Sequence, residues 1–307
     1  MIILFSILSY IFTFLFIKTS LPFLKKNFLD HPNKRSLHLN PTPKGGGLIF
    51  AIIGSLFLFA LNNKLGLFCL PIAFIGLIDD KYNLSRKLRY ISHFISVLFL
   101  YLISDINYNF TYNQNHLIQI FFLLIIIIIG TAIINFTNFM DGIDGLVSGC
   151  MTIWFGTIAI AGYHDYFVLV TSLIAFIFFN WYPAKIFMGD AGSTFLGLIV
   201  VGALLNMQSI SFMINSMLIL SPLYLDSISC IVKRLLKKQN IFTAHNLHLY
   251  QRLHKSGISK SNVSLIYILN TIILSIAFLT SYKLLYIFIG LTIIFGIVLD
   301  QKKAYNF

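Results

Sequence analysis

Continuous apolar runs, rather than any alternation of apolar and polar positions, dominate this chain. Eleven of them stand at roughly residues 2–21, 46–62, 65–78, 90–104, 117–134, 146–162, 166–182, 194–207, 210–230, 262–280 and 284–299. A helix crossing a ~30 Å hydrocarbon core needs about 17–25 residues, although several of these runs are shorter. The lack of a two-residue period disfavours membrane strands. The pattern predicts an all-α, polytopic integral membrane protein with about eleven transmembrane helices. The run at 65–78 is the one that could be dropped, leaving ten. The first run is not expected to be a cleaved signal peptide. No basic region precedes it, no small-residue cleavage site follows it, and Lys18, Lys25 and Lys26 come after. No internal repeat and no low-complexity tract is visible, so residues 1–307 read as a single transmembrane domain.

Composition narrows the class further. The 307 residues are 58% hydrophobic and 10% charged, against about 25% charged in soluble domains. Mean hydropathy is +0.85, which leaves no room for a large soluble domain. The net charge of +12 would suit nucleic-acid binding, but the distribution of the basic residues argues otherwise. Eleven spans divide the loops between two faces. Twenty Lys and Arg fall on the face holding 22–45, 79–89, 135–145, 183–193, 231–261 and the C-terminal tail. Only Lys64 and Lys283 fall on the other, and together these are all 22. The positive-inside rule makes the first face cytoplasmic and the N-terminus external. Nucleic acid is not expected as a partner. Cys69, Cys150 and Cys230 are far apart without a CxxC pair, which argues against a disulfide framework and against a zinc site.

The chain has no Glu, so its ten acids are all Asp. Five of these, Asp79, Asp80, Asp141, Asp144 and Asp190, cluster in three loops of the basic face, each beside Gly or Asn. In GLIDDKYNLSRKLR, adjacent carboxylates at Asp79 and Asp80 favour a raised pKa or a bound cation. A simple polar helix stop would place them there too. Lys87 and Arg89 follow at phosphate-binding distance along the chain. In INFTNFMDGIDGL, Asn135, Asn138, Asp141 and Asp144 recur every three residues, a helical face suited to a nucleobase or ribose. A helix cap is the alternative. In NWYPAKIFMGDAGSTFLG, Asp190 opens a helix among small residues, where an anion site and a Mg²⁺ ligand fit as well as a cap. In AHNLHLYQRLHKSG, His245, His248 and Arg252 can share one helix face, fitting phosphate better than zinc because no further ligand follows at zinc spacing. In PTPKGGG, Gly45, Gly46 and Gly47 expose backbone N–H groups, or simply turn the chain into the next helix. Asp226 lies within the ninth span, where an ionisable group is a functional candidate or a partner for Arg234.

Taken in order, PNKRSLH with PTPKGGG, the DD pair, NFTNFMDGIDGL, FMGDAGS and the His/His/Arg loop resemble the polyprenyl-phosphate N-acetylhexosamine-1-phosphate transferase family, glycosyltransferase family 4, over about residues 25–260. HNLHLYQR and PNKRSLH are most similar to its O-antigen-initiating branch. The three-histidine run of the peptidoglycan branch is absent, which disfavours phospho-MurNAc-pentapeptide as the transferred group.

The resemblance implies a catalytic domain that transfers a sugar-1-phosphate from a UDP-sugar to undecaprenyl phosphate, with release of UMP. It implies Mg²⁺, with Mn²⁺ as a substitute, an active site on the cytoplasmic face of a bacterial inner membrane, and by analogy a homodimer. It gives Asp79 and Asp80 as the catalytic pair and Asp190 as the metal ligand. Asn138, Asp141, Asp144, Asn180 and Phe187 then line the nucleotide-sugar pocket. His245, His248 and Arg252 contact phosphate; the residue pattern itself adds Lys87 and Arg89, with Lys44 and Asp226 as further candidates. The readings from other classes are a multi-span transporter and a lipid flippase without transferase activity. Against the transporter stands the crowding of polar motifs at one face, where transporters place them at mid-membrane in repeated halves.

Overall fold

A computed structural model describes residues 1–32, 37–38, 40–104, 115–241, 243 and 245–307. Lys34, Arg35 and Asp105 lie outside the described residues. The protein is an all-α polytopic membrane bundle. Its helices are α1 (Ile2–Asn27), α2 (Gly46–Ala60), α3 (Leu65–Tyr82), α4 (Arg86–Leu102), α5 (His116–Met140), α6 (Leu146–Ile160), α7 (Phe167–Asn180), α8 (Gly189–Leu205), α9 (Ile210–Leu218), α10 (Ser221–Leu236), α11 (Leu249–Lys255), α12 (Lys260–Thr280) and α13 (Tyr282–Lys302). A two-residue antiparallel pair, β1 (Leu29–Asp30) and β2 (Thr42–Pro43), braces the segment between α1 and α2.

Each of the eleven apolar runs falls on helix. Among the described residues, only α1, α5, α12 and α13 are both long and apolar enough to cross a bilayer unaided, and α9 with α10 would make a fifth span. Where a single ninth helix was expected over 210–230, the chain instead bends by 74° between α9 and α10. Pro222 sits at the start of α10. It has no N–H to give to the preceding turn and restricts the residue before it, so the helix restarts there in a new direction.

Helix α8 is the axis of the bundle. Every residue from Ala191 to Leu205 is buried, with α2, α3, α4 and α5 packed around it. Gly47 and Gly192 allow the closest of these approaches: a Cβ on Gly47 would lie 2.3 Å from the Gly192 Cα. Helix α13 has only Leu285 and Thr292 buried and turns the rest of its apolar surface outward. Serine and asparagine caps set several helix starts. Ser85 accepts from Leu88 N, Asn115 from Leu117 N and Ser259 from Asn262 N, each meeting a donor that the first turn leaves unpaired.

The connections alternate between the two ends of the bundle. At one end Asn63 donates to Asp165, and the Tyr163 hydroxyl accepts from Gln208 N at 3.0 Å. The described parts of the motif loops gather at the opposite end.

Candidate active site

The site is built around the N-terminus of α8. Asp80 accepts hydrogen bonds from Asp190 N at 3.1 Å and Ala191 N at 3.3 Å, so the last turn of α3 caps α8. Gly189 makes this possible: its φ is +71° and a Cβ would meet Asp80 Oδ2 at 2.3 Å. Asp79 points elsewhere. Its Oδ1 accepts from Leu84 N at 2.6 Å and its Oδ2 faces Arg89 Nε at 3.2 Å. Asp190 Oδ1 accepts from Asn138 Nδ2 at 2.8 Å, while Asp190 Oδ2 lies 3.6 Å from Arg89 Nη1.

Two cavities meet here. The first, of about 350 Å³, has Asp79, Arg86, Arg89, Asp190, His245 and His248 at its polar end. Its walls carry Ile72, Ile75, Tyr90, Phe139 and Ile231. The second, of about 210 Å³, is polar: Lys44, Asp80, Asp141, Asp144 and Lys260 line it, with Phe187 and His38 alongside. The Phe187 and His38 rings meet edge-on at 4.9 Å. Asp190, Asn138 and Gln251 belong to both cavities and form the boundary. The adjacent Asp79 and Asp80 are thus divided, one to each cavity.

Four carboxylates share this junction with few cations. Burial, the Asp190 hydrogen bond and the Asp190 charge push Asp79 up to about 6, against the opposing pull of Arg89 and Leu84 N–H. Burial and the Asp190 charge push Asp80 up to about 8. Asp141 is raised well above the carboxylate range by burial and then by Asp190, Asp80 and Asp144. Burial alone would lower the Lys44 ammonium, but the hydrogen bond to Asp30 and the charges of Asp30, Asp80 and Asp190 outweigh it and leave it raised. Excess negative charge with oxygen-only donors around the part-exposed Asp190 carboxylate suits a hard divalent cation.

The remaining expectations fare unevenly. Asn135 and Asn138 do share a face of α5, but that helix ends at Met140. The ladder breaks there: the asparagines line the first cavity, while Asp141 and Asp144 line the second. Asp144 accepts from Ala184 N at 3.1 Å and stands 3.9 Å from Lys260 Nζ. Asn180 borders the second cavity, yet its amide is spent on the protein: Oδ1 accepts from Gly145 N and Ser148 Oγ, and Nδ2 donates to Ile186 O. The N–H groups of Gly46 and Gly47 donate to Phe187 O at 3.1 Å and Met188 O at 3.0 Å, so they hold the α8 approach rather than stand open to a ligand.

Three placements correct the sequence reading. Lys87 is exposed and lines neither cavity, whereas Arg86, Arg89, Tyr90 and His93 do. Positions i, i+3, i+4 and i+7 share a helix face and i+1 does not. Arg252 turns away from both cavities. Its Nε donates to Leu247 O and its Nη1 to Tyr305 O, and it forms an ion pair with Asp300. Helix α11 begins only at Leu249, so His245, His248 and Arg252 do not share one helical face, although the two imidazoles still approach to 5.0 Å. Asp226 does not pair with Arg234, which holds the carbonyls of Asn240 and Thr243. Instead Asp226 accepts from Leu249 N, Tyr250 N and the Tyr267 hydroxyl, capping α11.

Asp30, Arg86, His93, Gln251 and Lys260 enter the site without having been singled out in the sequence. The register of α4 from Arg89 would have found Arg86 and His93. Asp30, Gln251 and Lys260 arrive through tertiary contacts that leave no local signal.

The sequence profile of glycosyl transferase family 4 matches residues 63–208, the stretch from α3 through α8. The chain is similar to the probable undecaprenyl-phosphate N-acetylglucosaminyl 1-phosphate transferase of Bacillus subtilis (strain 168), at 29% identity over 81% of this chain and 76% of that protein. It is similar to the undecaprenyl-phosphate alpha-N-acetylglucosaminyl 1-phosphate transferase of Escherichia coli (strain K12), at 28% identity over 89% of this chain and 82% of that one. It is also similar to the phospho-N-acetylmuramoyl-pentapeptide-transferase of Dictyoglomus turgidum, at 29% identity over 67% of this chain and 73% of that one. With these matches and the motif loops converging on α8 of a membrane bundle, the chain is similar to glycosyl transferase family 4 across its α3–α8 portion.

Proposed function

We propose that the protein transfers a sugar-1-phosphate from a UDP-sugar to undecaprenyl phosphate, releasing UMP, at the cytoplasmic face of a bacterial inner membrane. The product would start a lipid-linked surface polysaccharide of the O-antigen kind. The observation that carries this reading is the meeting of two unlike cavities at Asp190. One sets Arg86 and Arg89 among apolar walls, as an amphiphilic phosphate requires. The other is polar with an aromatic wall, as a nucleotide-sugar requires. Names of the relatives point the same way, and the 20 basic residues on the motif face support its cytoplasmic orientation.

Asp190 would hold Mg²⁺, or Mn²⁺ in its place. When bound, the cation supplies positive charge against the two phosphate groups that must approach each other. Asn138 fixes the Asp190 carboxylate through its 2.8 Å hydrogen bond. Arg89 and Arg86 meet the acceptor phosphate at the polar end of the first cavity. Asp79, which faces that cavity and has an affinity for protons near that of a phosphate monoester, takes the acceptor proton. A phosphate oxygen of the acceptor then forms a bond to the sugar-bearing phosphorus as the bond to UMP breaks. Asp80 has both oxygens on backbone N–H groups and positions α8 instead. Phe187 offers a face to the uracil, and Lys44 sits beside Asp80 for the donor phosphates.

Purified protein supplied with undecaprenyl phosphate and a panel of nucleotide sugars tests the reading. UMP should appear with at least one UDP-N-acetylhexosamine and should require both the lipid and Mg²⁺. No UMP from any donor would return the transporter and flippase readings. A covalent sugar-phosphate trapped on Asp79 or Asp80 would overturn the direct displacement.

A further inference from the structure

Sequence spacing argued against a zinc site because His245 and His248 have no third ligand nearby in the chain. The fold supplies one. Cys230, on the last turns of α10, lies beside both imidazoles, and one ligand atom from each of the three residues falls within 4.8 Å of the others. Among the described residues this is the one group of three or more such side chains so placed. We propose that Cys230, His245 and His248 form a binding site for a borderline-soft divalent cation of the zinc class, with its fourth coordination position open to the first cavity.

Four features support the assignment. The donors are one thiol and two imidazoles, a set that selects zinc over the hard cations suited to Asp190. Tetrahedral zinc with Zn–S ≈ 2.3 Å and Zn–N ≈ 2.0–2.1 Å places its ligand atoms about 3.5 Å apart. From within 4.8 Å, closure takes roughly an ångström of side-chain movement. His248 already has the outer partner that zinc-binding histidines use: its Nδ1 lies 3.5 Å from Asp226 Oδ1. A carboxylate there orients the ring and leaves Nε2 to the metal. Entry is available as well, since His245 and His248 line the first cavity. On binding, the Cys230 thiol gives its proton to solvent and the sulfur becomes a thiolate ligand.

The consequence for transfer rests on the reading given above. A cation at this position would occupy the phosphate end of the acceptor cavity, so zinc should inhibit UMP release in the wild type and not in Cys230→Ser.

Binding itself is tested without turnover, by titrating the full-length detergent-solubilised protein with Co²⁺. One equivalent should produce a thiolate-to-cobalt charge-transfer band and the intense visible bands of a tetrahedral site, both bleached by Zn²⁺. Cys230→Ser should abolish the charge-transfer band. Cys69→Ser, Cys150→Ser and Asp190→Asn should keep it. Absence of the band in wild-type protein whose thiols titrate as reduced would overturn the site. So would a band that persists in Cys230→Ser, or one that Asp190→Asn removes. If Cys230→Ser does not fold, His245→Gln serves in its place and should weaken or remove the visible bands. A transferase with no cobalt spectrum refutes the site alone, and a cobalt spectrum without UMP release refutes the transferase reading alone.

Discussion

Two groups of carboxylates lie at the same end of the bundle, and they are treated in opposite ways. Asp226 and Asp300 are matched by partners. Asp226 takes two backbone N–H groups, the Tyr267 hydroxyl and a neighbouring imidazole. Asp300 pairs with Lys233 and Arg252, and its carboxyl is held low by those partners despite the opposing effect of burial. Around Asp190, by contrast, burial and the Asp190 charge push Asp79, Asp80 and Asp141 upward, with Arg89 and Lys44 the cations that offset them. A buried charge with all its partners holds structure together. One short of partners is waiting for a ligand or a proton. The contrast moves Asp226 and Arg252 from the site to its scaffold, and it leaves Asp190 as the centre.

Asp190→Asn should break the comparison most sharply. The amide keeps the shape and the Asn138 contact but removes the charge that the cation and the phosphates respond to. UMP release should fall by about 10²–10³-fold, while the unfolding temperature holds or rises because a like-charge repulsion has gone. Full activity in this variant would refute the metal assignment.

Asp226→Asn should do the reverse. Its carboxylate is 4% exposed and holds the first turn of α11. Replacing one acceptor oxygen by an amide leaves a backbone N–H unpaired and costs about 2–3 kcal/mol of stability. The measurement is denaturant unfolding of the solubilised protein. A loss of activity without a loss of stability would return Asp226 to the chemistry.

Asp80 sharpens the comparison through pH. Its carboxyl stands at about 8 in the folded protein against an ordinary 3.8. Between those two values the folded state holds a proton that the unfolded state has lost. Stability gained this way is present at low pH and disappears as pH rises through 8. Metal-free protein should therefore become easier to unfold from pH 6 to pH 9. Asp80→Asn should flatten that dependence, and added Mg²⁺ should offset the loss at the alkaline end. An unchanged slope in Asp80→Asn would place the titration elsewhere.

What could be read in advance was local. The apolar runs stated the helices because each spans enough residues to average out its exceptions. The motif loops stated the site because Asp, Asn and Gly were packed within a few positions of one another. The break between α9 and α10 was legible at Pro222, had the proline been weighed against the length of the run. Partner choice was not legible. Lys44 with Asp30, Lys260 with Asp144 and Arg252 with Asp300 are contacts between distant segments, and nothing beside any of these residues announces its mate. Arg252 shows the cost: its motif placed it at the phosphates, and the C-terminal segment claims it instead.

Lys87 gives the finest test, because α4 separates it from Arg89 by register alone. Ser85 caps the helix, so Arg86, Arg89, Tyr90 and His93 face the first cavity and Lys87 projects about 100° away from Arg86. Being exposed, Lys87 can act on a phosphate only through screened solvent, a contribution of the size of surface ion pairs. Lys87→Ala should change the apparent KM for the lipid acceptor by less than about threefold. Arg89→Ala should cost far more, because it also frees Asp79 and Asp190 from the cation they share. The two variants differ by two residues in sequence and by which side of one helix they occupy. Equal losses would mean that total positive charge on α4 matters and its direction does not, and the division of the site into two oriented cavities would fall with it.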